Sequence, residues 1–198
     1  MEPKGKLYGL VLAGGKSTRM GEDKGILEYH GMPQREYTVA LLKSCGIKTF
    51  LSVRNDQQDD IPTGMDTILD RDEFRGPFNG LLSAHRAYPE VAWLVVACDM
   101  PLLLAKDIEL LIQERDPERM ATAFATVKSG LPEPLAAIWE PAGLAAAMTY
   151  LETATSSCAR KFLINHDTKL VHPKDDLVLA NANDPETFRE LQEYIATR

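Results

Sequence analysis

The stretch LYGLVLAGGKSTRMGEDKG, residues 7–25, sets an unbroken apolar run against a loop rich in glycine and cations. A run of this kind ending at glycine reads as a strand buried on both faces, as strands of a parallel sheet are. Gly15-Lys16-Ser17 are the closing residues of a P-loop, but in the GxxxxGK[ST] pattern the first glycine would fall on Leu10, and the nearest glycine, Gly9, is out of frame. A P-loop also opens into a long helix whose N-terminus holds the phosphates, whereas Gly21 and Gly25 interrupt any such helix. The loop is therefore not a P-loop.

The chain has 198 residues, within the usual span of about 100–200 for one domain, and the expectation is a single domain over residues 1–198. With 44% hydrophobic and 26% charged residues it reads as a soluble globular protein. A net charge of -7, from 29 acidic against 22 basic residues, argues against affinity based on neutralising nucleic-acid phosphates, so no nucleic-acid partner is expected. No run approaches the roughly 18 apolar residues of a membrane span, and the opening MEPKGKLYG lacks the apolar stretch of a signal peptide. A cytoplasmic location without membrane contact is the expectation. Cys45, Cys98 and Cys158 are odd in number, far apart and without a CxxC pair, and the four histidines show no metal-ligand spacing, so neither a disulfide framework nor a zinc site is indicated.

Outward from the first run, apolar segments alternate with amphipathic ones. TFLSV (49–53), DTIL (66–69), WLVVA (93–97) and ATAFATV (121–127) read as further strands. PQREYTVALLKSCG predicts a helix with Pro33 near its start and Gly46 as its stop; NGLLSAHRAY, AKDIELLIQER and DPETFRELQEYI predict three more, the last with Asp184 as N-cap before Pro185. The Leu-rich LLLAKDIELLI reads as core packing. The repeated strand–helix order predicts an α/β protein of three layers, a mostly parallel twisted sheet with helices on both faces in a Rossmann-like arrangement.

In such sheets ligands sit outside the carboxyl ends of the strands. The residues placed there are Lys16, Arg19, Asp23 and Lys24 after the first run, Arg54 and Asn55 after TFLSV, Asp70 and Arg71 after DTIL, and Cys98 and Asp99 after WLVVA. Paired glycines let backbone N–H groups close on phosphate oxygens, and cations in the same loop offset their charge. A strand-end aspartate facing that cluster suits Mg²⁺, which takes one or two carboxylates together with phosphate oxygens and water. The combination predicts a nucleoside triphosphate site. Structural alternatives stand beside it: Asp99 as a cap for a helix after Pro101, Asp70 as a turn residue, and Asn181 and Asn183 as caps or turn formers.

LAGGKSTRMGEDKGIL resembles the signature loop of the nucleotidyltransferases. Together with ILDRDEFRGPFNGLLSA, VVACDMPLL, LPEPLAAI and NANDPETF, it makes residues 7–191 similar to the molybdenum cofactor guanylyltransferase family. The resemblance implies the nucleotidyltransferase fold, with Leu12, Ala13 and Gly14 along guanine and ribose and Gly15 near the phosphates. It further implies Lys24 on the triphosphate, Asp70 on the nucleoside, Asp99 on Mg²⁺, and Asn181 and Asn183 facing the pterin. Asn55 matches the family's strand-end asparagine. The sequence departs from the family pattern at Met32, where lysine is common, and at Glu133, where histidine is common.

The reaction so implied is attack by the terminal phosphate of molybdopterin on the α-phosphorus of GTP, giving molybdopterin guanine dinucleotide and pyrophosphate, with no covalent protein nucleophile. The protein's part is positioning and charge neutralisation by Lys16, Arg19, Lys24 and the Asp99-held Mg²⁺. The resemblance implies GTP and molybdopterin as substrates and transient contact with cofactor-insertion proteins or target enzymes. Two other readings stay open: a nucleotidyltransferase making a cytidine or sugar nucleotide, and a non-catalytic nucleotide-binding regulatory domain.

Overall fold

The computed structural model describes residues 5–13 and 24–197. Seven strands form one sheet: β1 (Leu7–Leu12), β2 (Thr49–Val53), β3 (Thr67–Leu69), β4 (Ala92–Ala97), β5 (Ala121–Ala125), β6 (Pro132–Trp139) and β7 (Thr168–Val171), in the spatial order β3-β2-β1-β4-β6-β5-β7. Every neighbouring pair is parallel except β4/β6 and β5/β6, so β6 alone runs against the rest. The helices are α1 (Gln34–Ser44), α2 (Pro77–Ala87), α3 (Ala105–Gln113), α4 (Pro141–Thr153), α5 (Ala159–Asn165) and α6 (Pro185–Ala196).

Alternation along each strand sorts the side chains into two cores. On one face Val11, Leu51, Leu94, Val96 and Ile138 meet Val39 and Leu42 of α1 and Ile108 and Leu111 of α3. On the other, Leu10, Phe50, Trp93, Val95 and Trp139 meet Phe78, Leu81 and Leu82 of α2, Leu144 of α4 and Phe162 of α5. The expected three-layer α/β architecture is what is observed. None of the helices among the described residues is long and apolar enough to cross a membrane.

Local chemistry ends the helices where the sequence suggests. Gly46, with φ of 77°, follows α1; its N–H donates to Lys43 O at 3.0 Å while Ile47 N–H donates to Leu42 O at 3.4 Å. This is a Schellman closure, whose left-handed residue favours glycine and whose flanking Leu42 and Ile47 share a core. Asp184 caps α6 through Glu186 N–H and Thr187 N–H.

Three elements were not expected from the sequence: β7, α4 and α5. The strand β6, which covers most of the LPEPLAAI segment, contains Pro132 and Pro134. Proline removes a ladder donor and normally marks a strand's edge or a bulge. Here β4 pairs only with Ala136–Trp139, and the β5 register shifts between Ala123 and Ala125, so both prolines lie where the ladder is absent or irregular. Pro134 O accepts the indole N–H of buried Trp139 at 3.0 Å.

Candidate active site

Register levels the carboxyl ends of the inner strands. Leu12 stands opposite Ser52 of β2 and Ala97 of β4, and Val53 opposite Leu69 of β3. Beyond the strands, Ala13 N–H donates to Ser52 O (3.4 Å), Cys98 N–H to Leu12 O (3.3 Å) and Asp70 N–H to Val53 O (2.9 Å). Chain order reverses at β1/β4, with β2 and β3 built outward on one side and β4 on the other. This is the switch point at which open α/β sheets bind ligands.

On the β2 side, the Ser52 hydroxyl donates to Asp70 Oδ1 at 2.5 Å. Asp70 is 8% exposed, and burial pushes its carboxyl above the ordinary carboxylate range. The Asp72 charge adds to the rise, while the Ser52 and Asn79 hydrogen bonds and the Arg54 charge oppose it. The first turn of α2 comes very close because residue 80 is glycine. A Cβ there would collide with Ser52 Oγ and lie 2.8 Å from Leu12 Cδ2 and 3.2 Å from Asp70 Oδ1. The 70–76 connection is tied to α2 by Arg71 N–H to Ser83 Oγ (3.0 Å) and Asn79 Nδ2 to Asp72 Oδ1 (3.3 Å). Asn55 is exposed at the start of a 3-10 segment, Asn55–Asp60, and shares with Asp70, Arg71, Asp72 and Tyr88 a cleft of about 610 Å³. Gln57 of that segment is buried; its side chain donates to Ala13 O (3.3 Å) and accepts Arg54 N–H (3.0 Å), holding the end of β1.

On the β4 side, Asp99 lies two residues past Ala97. Helix α3 starts at Ala105 with Leu104 N–H donating to Asp107 Oδ2 at 3.0 Å, so Asp99 does not cap it. The main-chain oxygen of Asp99 accepts Ala182 N–H at 2.9 Å. That bond brings the Asn181–Asn183 segment from the far end of the chain to the end of β4. Asn181 is half-buried, its Oδ1 without a hydrogen-bond partner, and Asn183 is exposed. Glu133, at the start of β6, receives Arg160 NH2 at 2.5 Å, and Arg160 Nε donates to Pro132 O at 3.0 Å.

The structure thus gathers Leu12, Ala13, Asn55 and Asp70 on one side of the switch point, and Asp99 with Asn181 and Asn183 on the other. Gly14, Gly15, Lys16 and Arg19 lie outside the described residues; Lys24 opens the short 3-10 turn Lys24–Ile26. Three residues of the site escape sequence reasoning: Ser52, Gln57 and Gly80. The faint signals were a hydroxyl near the end of an apolar strand, an amide within an acidic segment, and a glycine inside an otherwise strong helix pattern.

Among the described residues no group of three or more His, Cys, Asp or Glu forms a metal cage. Mg²⁺ needs none: it keeps water and phosphate oxygens and takes one or two carboxylates. The Asp99 carboxylate at a strand end is a fitting hard-oxygen donor.

A switch-point crevice with aspartates after its third and fourth strands, in a chain whose sequence is rich in glycine and cations after the first, is the frame of a nucleotidyltransferase. The chain belongs to the MobA-like NTP transferase domain family, which matches residues 9–170. It is 36% identical over 186 residues to the molybdenum cofactor biosynthesis bifunctional protein of Synechocystis, covering 93% of this chain but only 53% of that longer protein. It is 37% identical over 137 residues to the probable molybdenum cofactor guanylyltransferase of Pyrococcus horikoshii, covering 68% of this chain and 69% of the relative. Its fold resembles that of molybdopterin-guanine dinucleotide biosynthesis protein A from Archaeoglobus fulgidus, with a TM-score of 0.77 and 19% identity over 96% of this chain and 100% of that one.

Proposed function

We propose that this nucleotidyltransferase transfers GMP from GTP to molybdopterin in the cytoplasm, releasing pyrophosphate. The observation that carries the reading is the pairing across the switch point: a buried carboxylate at Asp70, and Asp99 tied by its own backbone to the Asn181–Asn183 segment. The relative named as a probable molybdenum cofactor guanylyltransferase supports the choice of base and acceptor.

In this reading guanosine lies against Leu12, Ala13 and Gly14, with Asp70 and Asn55 beside the nucleoside. Glycine at position 14 leaves room for a purine against the backbone, and the guanine N1–H and N2–H₂ edge offers donors that a carboxylate such as Asp70 accepts. Gly15, Lys16, Arg19 and Lys24 hold the triphosphate, and Asn181 and Asn183 face the pterin. A phosphate oxygen of molybdopterin forms the new bond to the α-phosphorus as the bond to pyrophosphate breaks. The chain's task is to align two polyanions and neutralise their charge, which lowers the barrier without a covalent protein intermediate. Asp99 would hold Mg²⁺, whose chemistry there is to offset charge on the phosphate oxygens.

Titration of the purified protein with GTP, ATP and CTP in the presence of Mg²⁺, followed by addition of molybdopterin, tests the reading. GTP is expected to bind about a hundredfold more tightly than the others, because a wrong base leaves buried acceptors unpaired. A preference for CTP would move the protein to a cytidylyltransferase, and equal binding of all three would refute the guanine site. GTP binding without transfer would leave the nucleotide half standing and the acceptor half wrong.

A further inference from the structure

Within the Asn55–Asp60 segment Gln57 is the buried residue, at 4% exposure. Its amide faces two main-chain groups of opposite polarity. Oε1 accepts Arg54 N–H at 3.0 Å, and Nε2 donates to Ala13 O at 3.3 Å. A main-chain N–H only donates and a carbonyl only accepts, so one orientation of an amide serves both. Glutamate would lack the donor for Ala13 O, and an apolar side chain of the same length would serve neither group.

Anchoring of the connection does not account for that amide. Ile61 and Met65 already pack against the core on the α1 face, and Arg35 NH2 donates to Asp60 O at 2.6 Å. Gln57 instead joins the start of the segment, where Asn55 stands, to the end of β1. The bonds continue from there: Ala13 N–H donates to Ser52 O at 3.4 Å, and the Ser52 hydroxyl donates to Asp70 Oδ1 at 2.5 Å. One hydrogen-bonded chain therefore runs from the Arg54–Gln57 turn through Ala13 and Ser52 to Asp70. The same segment sets Asn55, whose Oδ1 accepts Gln58 Nε2 at 3.2 Å.

We infer that Gln57 is a positioning residue that fixes the spacing of Asn55, Ala13 and Asp70, and with it the affinity and base selection of the nucleoside site. The inference rests on the nucleotidyl-transfer reading above, which puts these three residues around guanosine. Gln57 acts through them on the half of the nucleotide that does not react. Interactions there are shared by the bound substrate and the transition state, so their loss raises KM and leaves kcat in place.

Gln57→Met keeps the length of the side chain and removes both bonds. A structural and a positioning role both lower stability, so the deciding quantities are the kinetic constants of the folded enzyme. The KM for GTP is expected to rise about fivefold to tenfold, the effect of losing one neutral hydrogen bond, and the preference for GTP over ATP to fall. The kcat, the KM for molybdopterin and inhibition by pyrophosphate should stay within about twofold of wild type. Gln57→Glu serves if the first variant does not fold: it keeps the acceptor for Arg54 N–H and lacks the donor to Ala13 O until the introduced carboxyl is protonated. Its GTP affinity should be below that of the wild type at neutral pH, and the deficit should shrink as pH falls. The inference is overturned if the KM for GTP of folded Gln57→Met stays within about twofold of wild type. It is also overturned if kcat and the KM for molybdopterin change as much as the KM for GTP, or if the Gln57→Glu deficit is independent of pH. A wild-type protein that binds no GTP would overturn the nucleotidyl-transfer reading itself, whereas failure of this inference leaves wild-type GTP binding intact.

Discussion

The Ser52 hydroxyl and the Asp70 carboxylate meet at 2.5 Å beneath Gly80, so a strand side chain, a loop aspartate and the first turn of a helix share one close contact. The contact depends on residue 80 having no side chain. Gly80→Ala is expected to push Ser52 off Asp70 and to destabilise the protein by about 1–3 kcal/mol, the usual cost of overpacking a filled core. Its KM for GTP should rise, whereas Ser52→Ala should raise KM with a smaller loss of stability. Urea denaturation and steady-state kinetics on both variants check the order.

Asp70 itself trades stability for binding. Its folded-state pKa is raised, so the native state binds protons more tightly than the unfolded chain and loses stability as pH rises from about 4, the ordinary carboxylate value, through the folded pKa. Asp70→Asn keeps an acceptor for Ser52 and removes that titration. The variant should match or exceed wild-type stability at neutral pH, with the difference growing from pH about 4 upward and then levelling, while affinity for GTP falls. Chemical denaturation across pH, paired with GTP titration at neutral pH, tests both halves; a variant less stable at every pH would contradict the assignment.

Asp99→Asn should abolish Mg²⁺-dependent turnover with little effect on folding, because an amide keeps the shape but is a poor ligand for a hard cation. The backbone bond from Ala182 to Asp99 does not involve the side chain, so the Asn181–Asn183 segment should stay in place. Activity assays over a Mg²⁺ series, with circular dichroism as the control, decide this; near-normal turnover would remove Asp99 from the metal.

Lys24→Ala should leave the fold intact and weaken GTP binding and turnover by about ten- to a hundredfold, the effect of losing one charge-assisted contact to phosphate. Kinetics that match the wild type in a folded variant would rule the lysine out of the triphosphate site.

At the opposite end of the sheet, Arg115 and Glu140 form a buried bidentate pair at 2.7 and 2.8 Å, with Arg115 also donating to Gly5 O at 3.3 Å. Glu140→Ala strands a buried guanidinium and is expected to cost about 3–5 kcal/mol of stability. The KM for GTP of the remaining folded enzyme should not change, which makes this variant the control for stability loss remote from the site.

Much of the fold could be read in order along the chain, because the signals are local. Strands β1, β2, β4 and β5 are apolar runs, α1 stops at Gly46, and α6 starts at Asp184 and Pro185. The strand-end positions of Asp70 and Asp99 were legible for the same reason: each follows a strand, and parallel strands deliver their carboxyl ends to one edge. The direction of β6 was not, since its prolines argue against a strand, and they are harmless only because β4 pairs beyond them and the β5 ladder is irregular beside them. Nor could the chain order reveal that Ser52 meets Asp70, that Gly80 lets α2 approach them, or that Ala182 carries the tail to Asp99. Ser52 and Asp70 are 18 positions apart in the chain, and Asp99 and Ala182 are farther apart still. These contacts arise from strand register and close helix approach, which are settled by packing the whole sheet and not by any one segment's own propensities.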